Sequence, residues 1–275
     1  VLGVLRLSAA CLSTKTYDSR HTFLMLTLDL FFFIVAGPAV LFAGISKAGF
    51  GSGAAFASAT ILALVVEPGL ALGVMLPMLM LIDVSSLRPY WRKWSAPDVK
   101  LLVLGGLPGV VAGALLYQVA SADLFRVLIG GVAVGFVLWQ LLLASQLLNL
   151  KRDRMPDWAG VAWGTVVGFT TFVSHAGGPP AAVFLLSRGL NKTQFQASTV
   201  LLFWVLNIAK FFPYAALGMF TAQTFLANIV LVPFALLGTW IGVKAHHLVP
   251  ERVFFGLTYV LLLVTGSKLI WDGLT

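Results

Sequence analysis

The sequence predicts an all-α polytopic membrane protein made of two inverted-topology repeats, with about eight to ten transmembrane elements that include short broken or re-entrant helices. Three observations lead there. Of 275 residues, 59% are hydrophobic and 10% charged, with a mean hydropathy of +0.97, whereas an average soluble domain is about 25% charged. Apolar runs recur along nearly the whole chain, and a span needs about 20 apolar residues to cross roughly 30 Å of hydrocarbon. Motifs of the first half return in order in the second, about 125 residues later, the mark of a duplicated architecture.

The apolar segments of the first half fall at 28–46, 54–66, 70–87, 101–120 and 126–148, and those of the second at 158–173, 179–189, 195–215, 222–245 and 253–271. The charged loop Lys151-Arg152-Asp153-Arg154-Met155-Pro156-Asp157 separates a first membrane repeat, 25–150, from a second, 158–272. Ahead of them, residues 1–24 hold one short apolar run broken by Arg6 and then a polar stretch. This segment reads as a disordered leader, or as an upstream extension of a chain that starts at Met25. Cys11, the single cysteine, lies within it and excludes an intrachain disulfide.

Lys and Arg collect in alternate loops: Arg88, Arg92 and Lys93; Lys151, Arg152 and Arg154; Arg188 with Lys192; Lys244 with Arg252. Short cytoplasmic loops are enriched in such residues. The other side is poorer in them, with Glu67, Asp123 beside Arg126, and the uncharged turn 213–224. Both ends of the membrane core are therefore expected on the outer side. The net charge of +8 resides in these loops, where it sets orientation or meets anionic lipid. The expected partners are a bilayer and a small anionic substrate, with no nucleic acid. Oligomeric state stays open, a homodimer among the options.

The repeat is seen in Pro108-Gly109-Val110-Val111-Ala112-Gly113, which corresponds to Pro233-Phe234-Ala235-Leu236-Leu237-Gly238. An acidic and basic pair follows each, Asp123 with Arg126 and Glu251 with Arg252. Gly44 corresponds to Gly168, and Asp83 to Asn207. Each half holds an odd number of elements, and equivalent loops differ in charge, 88–93 being basic and 213–224 not. An odd count turns the second copy over.

No Walker loop, HExxH or GxSxG pattern occurs, and no nucleophile-base pair or metal-ligand cluster stands out, so neither an enzyme, a cofactor nor a metal is expected. The second element of each half is only about a dozen residues long and follows a glycine-rich interruption: Lys47-Ala48-Gly49-Phe50-Gly51-Ser52-Gly53, and Ser174-His175-Ala176-Gly177-Gly178-Pro179-Pro180. Irregular backbone at membrane depth requires protein or a water-filled cavity to satisfy it. A helix that begins after such a break presents free N–H groups and a positive dipole end, which favours an anion. Two equivalent breaks are a sequence-level pointer to a transporter's binding site; the plain alternative is that these glycines only let helices approach closely.

The candidate substrate-binding residues are Lys47, Gly49, Gly51, Ser52 and Gly53 at the first break, Ser174, His175, Gly177 and Gly178 at the second, and Lys210. Lys47 either neutralises a bound anion or snorkels to the cytoplasmic surface. His175 either hydrogen-bonds substrate and carries a proton, or is structural. Lys210 either helps bring anions to the outer side or is interfacial. Asp83 is the acidic residue within a strong apolar run and, with His175, the coupling candidate; the alternative is a contact with Arg88, five residues on. Scarce buried carboxylates argue against a multi-acid sodium site.

At its two breaks the chain resembles the TauE/SafE family of sulfite and organosulfonate exporters. Members carry a glycine-rich motif early in each repeat and often a Ser-His-Ala-Gly-Gly-Pro-Pro stretch in the second, which stands here at Ser174 to Pro180. The first motif, Gly49-Phe50-Gly51-Ser52-Gly53, differs from the usual glycine run by Ser52. The resemblance covers residues 28–272. It implies outward transport of a sulfur oxyanion or sulfonate, such as sulfite or sulfoacetate, across the bacterial inner membrane. The combined expectation is a secondary transporter with a central site between the two breaks. An anion channel, or a transporter of a carboxylated organic anion, is the alternative.

Overall fold

The computed structural model describes residues 29–50, 54–145, 154–245 and 251–275. The leader 1–24, Gly51-Ser52-Gly53, and the basic residues Lys151 and Arg152 lie outside the described residues, as do the side chains of Glu251 and Arg252. Among the described residues the chain forms ten α-helices, one π-helical turn and no strand: α1 Leu30–Ile45 running into the π turn Ser46–Phe50, α2 Phe56–Leu62, α3 Pro68–Leu87, α4 Ala96–Val119, α5 Ala122–Ala144, α6 Asp157–Ser174, α7 Gly178–Ser187, α8 Lys192–Ala216, α9 Ala222–Ala245 and α10 Glu251–Leu274. Each expected apolar segment has become one helix. Seven of these, α1 extended by its π turn, α3, α4, α5, α8, α9 and the 255–274 part of α10, are long and apolar enough to cross a membrane.

Local chemistry explains where the helices begin. Asp29 accepts from Phe32 N at 2.8 Å, Glu67 from Leu70 N at 3.2 Å and Ser121 from Leu124 N at 3.1 Å. These side chains satisfy amides that have no partner within the helix. Asn191 and Gln194 form a reciprocal capping box. Helices α4, α5 and α8 start three to five residues before their apolar runs, because Ser95-Ala96-Pro97, Ser121 and Asn191 set the first turn independently of hydropathy.

Glycine sets the tertiary packing. Helix α4 lies against α6 so closely that a Cβ on Gly105 would stand 1.9 Å from Val161 O, and one on Gly168 1.9 Å from Gly106 O. Helix α1 meets α9 in the same manner, with a Cβ on Gly238 falling 2.4 Å from Leu41 O and one on Gly242 2.6 Å from Ile45 O. Hydrocarbon gives no hydrophobic drive for helix association, so close backbone approach supplies dispersion contact instead. Helices α3 and α8 cross at the centre, and α5 packs on α10. Exchanging the two halves turns α1–α9 into α6–α4 and α3–α9 into α8–α4, and every one of these pairs is in contact. The first helix of each half therefore packs on the fourth helix of the other. Large apolar side chains face outward as well as inward: Leu104, Val111, Leu138, Phe225, Val230 and Val264 are exposed, while Phe32, Phe56, Phe125 and Phe172 fill the interior.

Candidate functional site

The described part of the first break, and the second break, lie largely inside the protein. In the first, α1 widens into the π turn Ser46–Phe50, whose Ser46, Lys47, Ala48 and Gly49 are buried. π segments occur mostly as local bulges at functional positions, and they release backbone carbonyls from the helical ladder. Two of these carbonyls have side-chain partners: Gln196 Nε2 donates to Lys47 O at 2.6 Å and Tyr90 OH donates to Ala48 O at 3.1 Å. Burial pushes the Tyr90 phenol above its ordinary range, which keeps it a donor. In the second break α6 stops at Ser174, and His175 takes a left-handed φ of 56°. That conformation costs roughly 1–2 kcal/mol for a residue with a Cβ. Helix α7 restarts at Gly178, behind Gly177.

The same bond recurs in the second half. Tyr214 OH donates to Phe172 O at 2.6 Å; Tyr214 stands 124 residues after Tyr90, and Phe172 124 after Ala48. Each half thus uses a tyrosine at the end of its third helix to hold a carbonyl released at the break of its first. Replacing Tyr214 by Phe is expected to cost about 1–3 kcal/mol of stability, the penalty of a buried carbonyl left without a donor, read as a lower thermal midpoint in detergent.

Between the breaks lies a cluster of charged and polar side chains. Lys47 Nζ and Asp83 Oδ1 form an ion pair at 2.5 Å, and Asn207 Nδ2 donates to Asp83 Oδ2 at 2.7 Å. The repeat-related residues Asp83 and Asn207 thus touch one another where α3 and α8 cross. One turn further along α8, Lys210 Nζ donates to Thr171 O at 2.9 Å and Thr171 Oγ1 at 3.2 Å, and lies 2.9 Å from His175 Nδ1. The other ring nitrogen, His175 Nε2, is 3.3 Å from Leu72 O. A backbone carbonyl can only accept, so Nε2 carries the hydrogen and Nδ1 accepts from the lysine. Relative exposures are 4% for Lys47, 1% for Asp83, 6% for His175, 1% for Asn207 and 0% for Lys210. The cluster is occluded, and buried ionisable groups in a membrane bundle mark substrate or ion pathways.

Several expectations are sharpened by this geometry. Lys47 does not snorkel: its ammonium turns inward to Asp83 and lies 5.7 Å from the Phe203 ring centroid. Asp83 is held by Lys47 and Asn207, not by Arg88. Lys210 is not interfacial: it is fully buried, with its ammonium held at the end of α6 by Thr171 and His175. Gly49 and Gly177 have packing roles as well: a Cβ on Gly49 would lie 2.5 Å from Gly242 O, and one on Gly177 2.8 Å from the Phe203 ring. Gly178 is buried at the start of α7, and Ser174 Oγ donates back to Thr170 O at 3.1 Å. Gly51, Ser52 and Gly53 lie outside the described residues. Among the described residues, no group of three or more His, Cys, Asp or Glu side chains is arranged to hold a metal ion.

Residues absent from the expected site are Thr171, Gln196, Tyr90 and Tyr214. A signal for them existed. Asp83-x-x-Ser86-x-x-Pro89-Tyr90 and Asn207-x-x-Lys210-x-x-Pro213-Tyr214 are the same pattern at an offset of 124 residues, and the same offset carries Lys47 to Thr171.

A family model described as sulfite exporter TauE/SafE matches residues 36–269. No curated protein and no solved structure matches the chain.

Proposed function

The chain belongs to the TauE/SafE sulfite exporter family and is a multi-pass membrane protein; from that premise we propose that it is a secondary transporter exporting a small anion, a sulfonate or sulfite, across the bacterial inner membrane. The two halves are inverted copies in this reading, and access alternates as one part of the bundle rocks against the other around a fixed central site.

The observation that carries the reading is the occluded contact of Lys210 with His175 and Thr171 at the end of α6. A buried cation is stable only with partners, and here those partners are neutral acceptors at a helix break. An oxyanion arriving at this point exchanges a dipole for a full charge, and charge-assisted hydrogen bonds are roughly twice as strong as neutral ones. The left-handed His175 backbone keeps the imidazole in place. Gln196, Tyr90 and Tyr214 hold the carbonyls of the two breaks, so that anchored elements surround the anion.

Replacing His175 by Ala is expected to lower sulfite and sulfonate flux in proteoliposomes by about tenfold or more while the protein remains folded and monodisperse. Flux equal to that of the parent protein would remove His175 from the site. A channel is distinguished by flux that does not saturate and shows no counterflow.

A further inference from the structure

We infer that the central site carries one net positive charge and is therefore matched to a monovalent oxyanion, with Asp83 as the residue that excludes divalent ones. This rests on the anion-transport reading and adds a charge class to it.

The formal charges follow from contacts. Lys47 and Asp83 face each other at 2.5 Å and cancel. His175 is neutral, since its Nδ1 accepts from Lys210 while its Nε2 meets a carbonyl. Lys210 has three acceptors for three N–H groups, the full complement of an ammonium. None of the three is a carboxylate. Carbonyls at the C-terminal end of α6 carry partial negative charge that offsets part of this ammonium, but one full positive charge remains without a counter-ion among the described residues. The charged groups that act on Asp83 are Lys47 from the π turn and Lys210 from α8. Helix α9, also packed on α3, brings Lys244, which stacks on Trp240 at 3.8 Å from the ring centroid.

A monovalent anion makes the site neutral. A divalent anion leaves one negative charge among buried side chains, which Asp83 makes worse. Removing the Asp83 charge leaves Lys47 and Lys210 both unopposed, and two charges then suit a divalent anion.

The test uses the full-length protein in proteoliposomes at neutral pH, with methanesulfonate as the monovalent and sulfate as the divalent probe. The parent protein is expected to favour methanesulfonate by at least about tenfold, and Asp83→Asn to shift the ratio towards sulfate by about tenfold or more. The double variant Lys47→Met with Asp83→Asn, which again has one net positive charge, should bring the ratio back towards methanesulfonate. It also serves where the single variant does not fold. Equal handling of both probes by the parent, an unchanged ratio in Asp83→Asn, or a double variant that favours sulfate would overturn the charge assignment while leaving anion transport standing. Transport of neither probe, nor of sulfite, would overturn both.

Discussion

Replacing Lys210 by Met is expected to abolish anion flux, lowering it by about two to three orders of magnitude in proteoliposomes. Breaking a buried charge pair by removal of one partner costs about 3–5 kcal/mol, and each 1.4 kcal/mol is about a factor of ten. With Lys210 present, an arriving anion meets a cation that has no carboxylate of its own. Without it, the charge that remains at the site is the Lys47–Asp83 pair, already neutralised. The variant should still fold. Met fills a similar volume, and the groups that lose a donor are Thr171 O, Thr171 Oγ1 and His175 Nδ1. Of these, Thr171 O keeps the hydrogen bond from His175 N at 3.1 Å. The decisive result is therefore loss of flux with an intact elution profile and a thermal midpoint near that of the parent. Undiminished flux would assign Lys210 to capping α6 and nothing more.

The second large effect concerns folding. Replacing Gly168 by Ala is expected to destabilise the bundle by about 3 kcal/mol or more and to lower the yield of folded protein sharply. The added methyl would stand 1.9 Å from Gly106 O and 2.7 Å from Gly106 C. These are backbone atoms, so α4 and α6 must separate along their length, at the upper end of the usual overpacking cost of 1–3 kcal/mol or beyond it. Gly131→Ala and Gly135→Ala are the controls: an added Cβ at either position meets nothing within 4 Å, and both should be neutral or slightly stabilising through better helix propensity. Thermal denaturation of the three variants side by side separates a steric cost from a general dislike of alanine. Equal midpoints would mean that the α4–α6 contact is loose.

The membrane elements could be read from the chain because each is a hydropathic event of its own. A run such as Leu70 to Leu87 is apolar whatever surrounds it, and all ten helices appeared where such runs lay. The two breaks were equally local, since glycine and proline interrupt the pattern at Gly49–Gly53 and Gly177–Pro180. What the chain did not reveal was depth and partnership. Lys210 sits near the outer end of its apolar run, 195–215, which leaves an interfacial position open. The end of α6 covers the lysine instead. The contact of Lys47 with Asp83 joins residues 36 apart, and that of Asp83 with Asn207 joins residues 124 apart. No periodicity encodes either. The repeat alone relates Asp83 to Asn207 as equivalent positions, without saying that they touch, and it relates Pro89-Tyr90 to Pro213-Tyr214 in the same way. The π turn had no sequence signal beyond its glycine, since its widening is held by Gln196 and Tyr90 from other helices.

The exchange of partners between halves also bears on how the protein is made. Helix α1, Leu30–Ile45, finds its glycine-lined partner in α9, Ala222–Ala245, which leaves the ribosome about 190 residues later. At roughly 5–20 residues per second that interval is about 10–40 s. Throughout it, Gly44 and the side of the π turn that packs on α9 lack that partner, although α3 and Tyr90 of the same half can already meet the turn. The first half is not a finished unit awaiting an independent second. It is an open surface, and the central ion pair gains its full enclosure only as the last helices arrive.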